Sequence, residues 1–220
     1  MSDRLFAPAS REDWHKNAIV GGFYSELYVL MEGYYEAANM LISSALDEGN
    51  STRDLTFLFH PICFLYRHYI ELSLKYLISK SELLYAILDE MGYSKGILQE
   101  YRQEKLTSVH RLKTLLDWLR ERIKFTLGKP LPKKLIDVIE QFDGKDPDGQ
   151  NFRYSLRKDG LQGIPQQFGA NIEIIQRQME SAHSILSGLN DWLEEEIRLS
   201  GELLDICRQE CGQHNEDFYY

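Results

Sequence analysis

The sequence predicts an all-α fold, a single up-and-down helical bundle, on three observations. Apolar residues recur at alternating steps of three and four in each long segment. Serine-led capping signatures and Gly/Pro clusters bound those segments. Only one extended region, residues 143–170, is Gly, Pro and Asp-rich.

The first segment opens at Ser10, which with Asp13 forms a capping pattern, so the helix is expected to start there. Its stripe is Tyr28, Met31, Tyr35, Ala38, Ile42 and Ala45, with Gly21, Gly22 and Gly33 weakening it locally. "DEGNST" breaks it. Ser51 and Asp54 open a second helix expected to run to about Ser79, with a kink or restart at Pro61. Two shorter patches follow, 81–91 and 96–105, then a helix over His110–Ile123 with Leu112, Leu115 or Leu116, and Leu119 on one face, ended by "GKPLP". "KKLIDVIEQF" is a short amphipathic helix. The 144–170 region reads as a long loop, with "FRYSL" a short extended piece. A last helix, about Asn171–Leu199, carries a heptad-like seam at Ile172, Ile175, Met179, Ala182, Leu186, Leu189 and Leu193, suited to a bundle or a dimer contact. The boundaries expected are one domain over 1–205 and a polar tail over 206–220.

Composition narrows the function. At 220 residues and 43% hydrophobic, the chain is long enough for one sizeable core. Its formal charge of −9, from 25 Lys+Arg against 34 Asp+Glu, repels nucleic acid and anionic membrane overall while allowing a local basic cleft. Three cysteines (Cys63, Cys207, Cys211) do not make a disulfide framework. With no apolar run of membrane-spanning length and no leader-like start, a soluble cytoplasmic protein is expected. No Gly-rich phosphate loop, GxSxG elbow or HExxH is present.

The sharpest feature is "FLYRHYIELSLKYLI", residues 64–78. At about 100° per residue, Arg67, Glu71, Lys75 and His68 fall in one narrow sector of an otherwise apolar helix. Three readings stay open. The four could form a solvated ladder of i,i+4 ion pairs, line an internal cleft or dimer groove where a His beside a carboxylate does acid/base work, or make a buried structural network.

This stretch, followed by "HRLKTLLDWL" and "DPDGQNFRYS", resembles the HEPN-type helical proteins of prokaryotes, with their "RHxxELxLK" helix, "HxLxxLW"-like helix and "FRYP"-like loop. The likeness covers roughly residues 55–200. The matching positions are Arg67, His68, Glu71, Leu72, Lys75, His110, Leu112, Leu115, Asp146, Phe152, Arg153 and Tyr154; Trp118 and Ser155 depart from the pattern. The resemblance implies an all-α bundle paired as a homodimer, in a family that holds ribonucleases of toxin and phage-defence systems beside non-catalytic nucleotide-binding or scaffold members. Its catalytic signature is an Arg and a following His with four to six residues between them. Three pairs fit it, Arg53/His60, Arg177/His183 and Arg208/His214, and of these only Arg177 and His183 fall in the late helix. Roughly 120° separates Arg177 from His183 on a regular helix, so they would cooperate only across a dimer or an irregular turn, and His183 also reads as a core or interface histidine.

Other chemistry is thinly signalled. Cys207, Cys211 and His214 lack a fourth zinc ligand in a recognised spacing. "GKDPDG" reads as an acidic turn, because Gly144 and Ser155 occupy the first and last ligand positions of a calcium loop. Arg153, between Phe152 and Tyr154, could fold the rings inward and aim its guanidinium at the stripe, or pair with Asp146 or Asp148. The expected pocket is therefore Arg67, His68, Glu71, Lys75, His110 and Arg153, with no cofactor or metal. The expected function is a HEPN-like interaction or scaffold module with a possible protein partner. The alternative is a metal-independent endoribonuclease acting on RNA through Arg177 and His183.

Overall fold

The computed structural model describes residues 6, 11–22, 26–46, 51–93 and 103–216, with side chains for all but 52, 53, 103–105 and 210–216. Among the described residues the fold is all-α with no strand. The helices are α1 (Leu27–Leu46), α2 (Thr52–Glu90), α3 (Gln103–Ser108), α4 (Leu112–Leu127), α5 (Lys133–Lys145) and α6 (Ile172–Glu216). α2 is the central column: α1, α6 and α4 pack along it, α5 bridges α4 and α6, and α3 also touches it.

The stripes read from sequence are the faces that meet. Met31, Tyr35, Ala38, Ile42 and Ala45 of α1 are buried, as are Leu112, Leu115, Leu116 and Leu119 of α4. They enclose Ile62, Tyr66, Ile70, Leu74 and Ile78 of α2. The α6 seam turns inward too: Ile172, Met179, Ala182, Leu186 and Leu193 are buried within the chain. That seam is a bundle contact.

Several boundaries differ from expectation. A single 3-10 turn, Trp14–Lys16, stands where the first helix was to begin; Asn17 is extended and Gly21 and Gly22 adopt φ of 92° and 55°, a left-handed excursion that ends helical propagation. Ser10 lies outside the described residues. α2 passes through Pro61 uninterrupted. One lost hydrogen bond is outweighed because Ile62, Cys63 and Tyr66 just beyond it are buried, and packing of the apolar face supplies most of a helix's stability. Asp54 does cap α2, accepting from the Ser51 N–H at 2.9 Å and hydroxyl at 2.7 Å. The expected stop at Ser79 is absent, and the 81–91 patch is simply more of α2; Ser81 stays helical by donating its hydroxyl to the Leu77 carbonyl at 2.7 Å. The 96–105 patch falls mostly outside the described residues, with α3 at its edge.

α6 also overruns its expected end at Leu199. Its inward stripe continues through Ser200 and Leu204, both 8% exposed, with a serine hiding the period. Residues 206–216 therefore extend α6 instead of forming a tail. The "FRYSL" segment contributes one isolated antiparallel bridge, Leu156 with Gln162. No helix of the described residues is long and apolar enough to cross a membrane.

Candidate functional site

The four stripe residues lie where α2 faces the loop after α5 and the turn between α3 and α4. The ion pairs expected along the helix form, but not on a solvated face: Arg67 is 2%, Glu71 3% and Lys75 8% exposed. All three nitrogens of the Arg67 guanidinium donate. Nε donates to the Asp146 carbonyl at 2.8 Å, Nη1 to Glu71 Oε2 at 2.9 Å and Nη2 to the His110 carbonyl at 2.6 Å. The Asp146 carboxylate sits 3.3 Å from Nε. Glu71 in turn accepts from Lys75 at 2.8 Å and lies 3.0 Å from His110 Nδ1.

Two long-range consequences follow. One side chain on α2 binds both connections that flank it, spanning 43 residues to His110 and 79 to Asp146. The loop must also come close: a Cβ at Gly149, whose φ is +75°, would stand 3.0 Å from Arg67 Nη1. Only glycine fits there without strain.

Asp146 anchors the loop from inside, accepting from the Asn151 N–H at 2.9 Å, while Asn151 donates to the Lys145 carbonyl at 2.6 Å. Phe152 turns inward and is 6% exposed, meeting Phe59 edge-on at 6.1 Å. Tyr154 stays outside at 53% exposure, so only one of the two rings folds in. Arg153 pairs with neither candidate aspartate, because Arg67 takes Asp146 and Arg157 takes Asp148 at 3.3 Å. Its guanidinium lies instead over the rings of Phe64, at 5.5 Å, and Tyr154, at 5.2 Å.

Between helix and loop is a cavity of about 450 Å³. Phe64, Arg67, His68, Glu71 and His110 form one wall, and the loop from Asp148 to Lys158 forms the other. Sequence reasoning named Arg67, His68, Glu71, His110 and Arg153, and the structure brings these five together. Lys75 does not line the cavity and pairs with Glu71 from one turn further along α2. Missed were Phe64, Gly149, Arg157 and Lys158; the "RKDG" turn was the available signal for the last two.

The electrostatics differ sharply along the wall. Burial pushes Glu71 up, but Lys75, His110 and Arg67 together hold it below the ordinary glutamate value. His68 is half-buried, stacked on Phe64 and edge-on to Tyr34 at 4.5 Å. Burial lowers its pKa first; Glu71 opposes this, and Arg67, Lys75 and Arg153 lower it further. A folded pKa below the unfolded 6.5 means that the unfolded chain binds the proton more readily. The resulting stabilisation is full above pH 6.5 and is lost as pH falls through the lowered value. Replacing His68 with Phe is expected to flatten the wild-type stability profile just below pH 6.5, measured by urea unfolding across pH; an unchanged slope would assign it elsewhere.

Arg177 and His183 are not at this cavity. Tyr69 hydroxyl and His183 Nδ1 are 2.8 Å apart, and the His183 ring stacks on Tyr35 at 4.0 Å, in the α1/α2/α6 contact. Arg177 is exposed on α6. His60 is exposed and meets Phe152 edge-on, while the side chains of Arg53 and His214 lie outside the described residues. Arg208 pairs with Glu90. Cys207 is exposed, Cys211 has no described side chain, and no cluster of three metal-ligating side chains occurs among the described residues.

No protein-family model, curated protein or solved structure matches this chain.

Proposed function

We propose that the chain is a HEPN-like interaction module that pairs with a second copy of itself, and not a nuclease. The observation that carries this reading is the saturation of the stripe. Arg67, Glu71 and Lys75 pair with one another, and Arg67 Nε and Nη2 donate to backbone carbonyls. A buried cation engaged through all three nitrogens is aimed at these partners and not at a scissile phosphate, as catalysis by charge stabilisation would need. Its work is to clamp the loop to the bundle.

Self-association has its own support on α6. Leu199, Leu203 and Ile206, spaced by four and three, are 41%, 54% and 51% exposed, and Leu83 of α2 is 49% exposed. A second copy covering this end would remove that apolar surface from water. The inward seam, by contrast, is already spent within the chain.

The test joins oligomeric state to activity. Light scattering of purified protein is expected to give a dimer mass, and Leu203→Glu with Ile206→Glu a monomer of unchanged helical content. Incubation with single-stranded RNA in EDTA is expected to leave the RNA intact. Cleavage that His183→Ala abolishes would overturn this reading in favour of a metal-independent ribonuclease. A monomeric wild type would remove the self-pairing half of it.

A further inference from the structure

We infer that the cavity between α2 and the 146–163 loop is a binding site for a small phosphate monoester bearing a hydroxyl or amino donor. The inference is independent of the self-association reading.

Charge makes the first argument. Four cationic side chains and two carboxylates line the cavity, in a protein whose overall charge is −9. The buried ones balance: Arg67 faces Glu71 and Asp146, and Lys75 also faces Glu71. Arg157 is outweighed by Asp148 and Asp159, each 3.3 Å away, so that trio carries one net negative charge. Arg153 and Lys158 are left over, with no carboxylate in ion-pair range among the described residues. Arg153 and Lys158 leave this wall with a net positive charge and two free sets of donors, and a phosphate monoester offers three terminal oxygens to accept them. A diester offers only two.

Arg153 is also held ready. Contact with Phe64 and Tyr154 positions its guanidinium without using any of its N–H donors. An oriented, unpaired fork is the arrangement that grips phosphate through paired hydrogen bonds.

A second, separate observation concerns the other half of the ligand. Asp148 lines the cavity, and its Oδ1 is buried with no hydrogen-bond partner among the described residues. A buried, unmade acceptor is costly, and a small turn of this 38% exposed side chain would bring it to a hydroxyl or amino group on the ligand. Size agrees: about 450 Å³ lies in the range of sites for single small molecules. Sugar phosphates and nucleoside monophosphates share this chemistry.

Isothermal titration of the full chain with inorganic phosphate, ribose 5-phosphate, adenosine 5′-monophosphate and adenosine separates the sources. Both phosphate esters are expected to bind more tightly than inorganic phosphate, and adenosine is expected not to bind. A preference for the nucleotide over the sugar phosphate assigns the base a role; equal affinity assigns the site to the sugar phosphate portion. Arg153→Ala and Lys158→Ala, both at exposed side chains, are expected to weaken ester binding about tenfold or more each with the unfolding midpoint unchanged. Asp148→Ala should narrow the gap between ester and inorganic phosphate. Failure of both esters to bind, or ester binding that survives the Arg153→Ala, Lys158→Ala double variant, would overturn the proposal. So would binding of single-stranded RNA in the absence of any monoester binding.

Discussion

Replacing Arg67 with alanine is expected to cost about 3–5 kcal/mol of stability, the usual penalty for removing one partner of a buried ion network. Two carboxylates, Glu71 and Asp146, would lose their shared guanidinium inside the protein, and the His110 and Asp146 carbonyls would lose its N–H donors. Arg67→Lys should recover only part. An ammonium is a point charge and does not reproduce a planar fork that reaches α2, the 146–149 turn and the α3–α4 connection at once. Urea unfolding of the three proteins measures this. A loss of less than about 1 kcal/mol would make the network no stronger than a surface pair and remove the clamp role given to it.

The acid limb of the same experiment carries a sign. Glu71 sits below its ordinary value, so its contribution is present above the unfolded pKa of 4.5 and disappears as pH falls through the lowered folded one. Without Arg67 one of the groups holding it down is gone. The acid-dependent slope should therefore shrink in Arg67→Ala, on top of the uniform loss of stability.

Phe152→Ala is expected to have the next largest effect, about 3 kcal/mol, at the lower end for a buried phenylalanine because the ring sits near the rim of the bundle. The ring is what seats the 146–163 loop against Phe59 on α2. Its neighbour Arg153 has no ion pair of its own among the described residues to hold it in place. Removing the ring should open the loop ahead of the rest, since local opening follows the loss of buried apolar contacts. Amide exchange and limited proteolysis across 146–163 should rise while the α1, α2 and α4 core stays protected. Phe152→Leu should restore most of the protection. Equal exchange in loop and core would mean that the ring belongs to the global core.

Much of this architecture was legible in the chain itself. The α1, α4 and α6 stripes are local patterns, and a period of 3.6 residues names the buried face wherever the helix ends up. So Met31, Leu116 and Met179 were predictable as core, and Ser51 with Asp54 as a cap. Boundaries were less legible, because continuation is settled by packing beyond the helix. Pro61 and Ser200 look like stops, yet buried residues carry the helix through them, Ile62, Cys63 and Tyr66 beyond the first and Leu193 and Leu204 around the second.

The site divides in the same way. That Arg67, His68, Glu71 and Lys75 share one sector of α2 follows from helical geometry alone, as do the two i,i+4 pairs among the charged residues. What those charges face does not follow, because it depends on chain far away. Arg67 is buried only because residues 79 positions later fold over it, and Gly149 permits that approach. The same closure assigns Asp146 to Arg67 and Asp148 to Arg157, leaving Arg153 and Lys158 without a carboxylate partner among the described residues at a cavity. Local periodicity accounts for the helices, their inward faces and the polar stripe. Which charges are neutralised and which stay available is settled by the fold, since Coulomb energy depends on distances and burial that the closed chain sets.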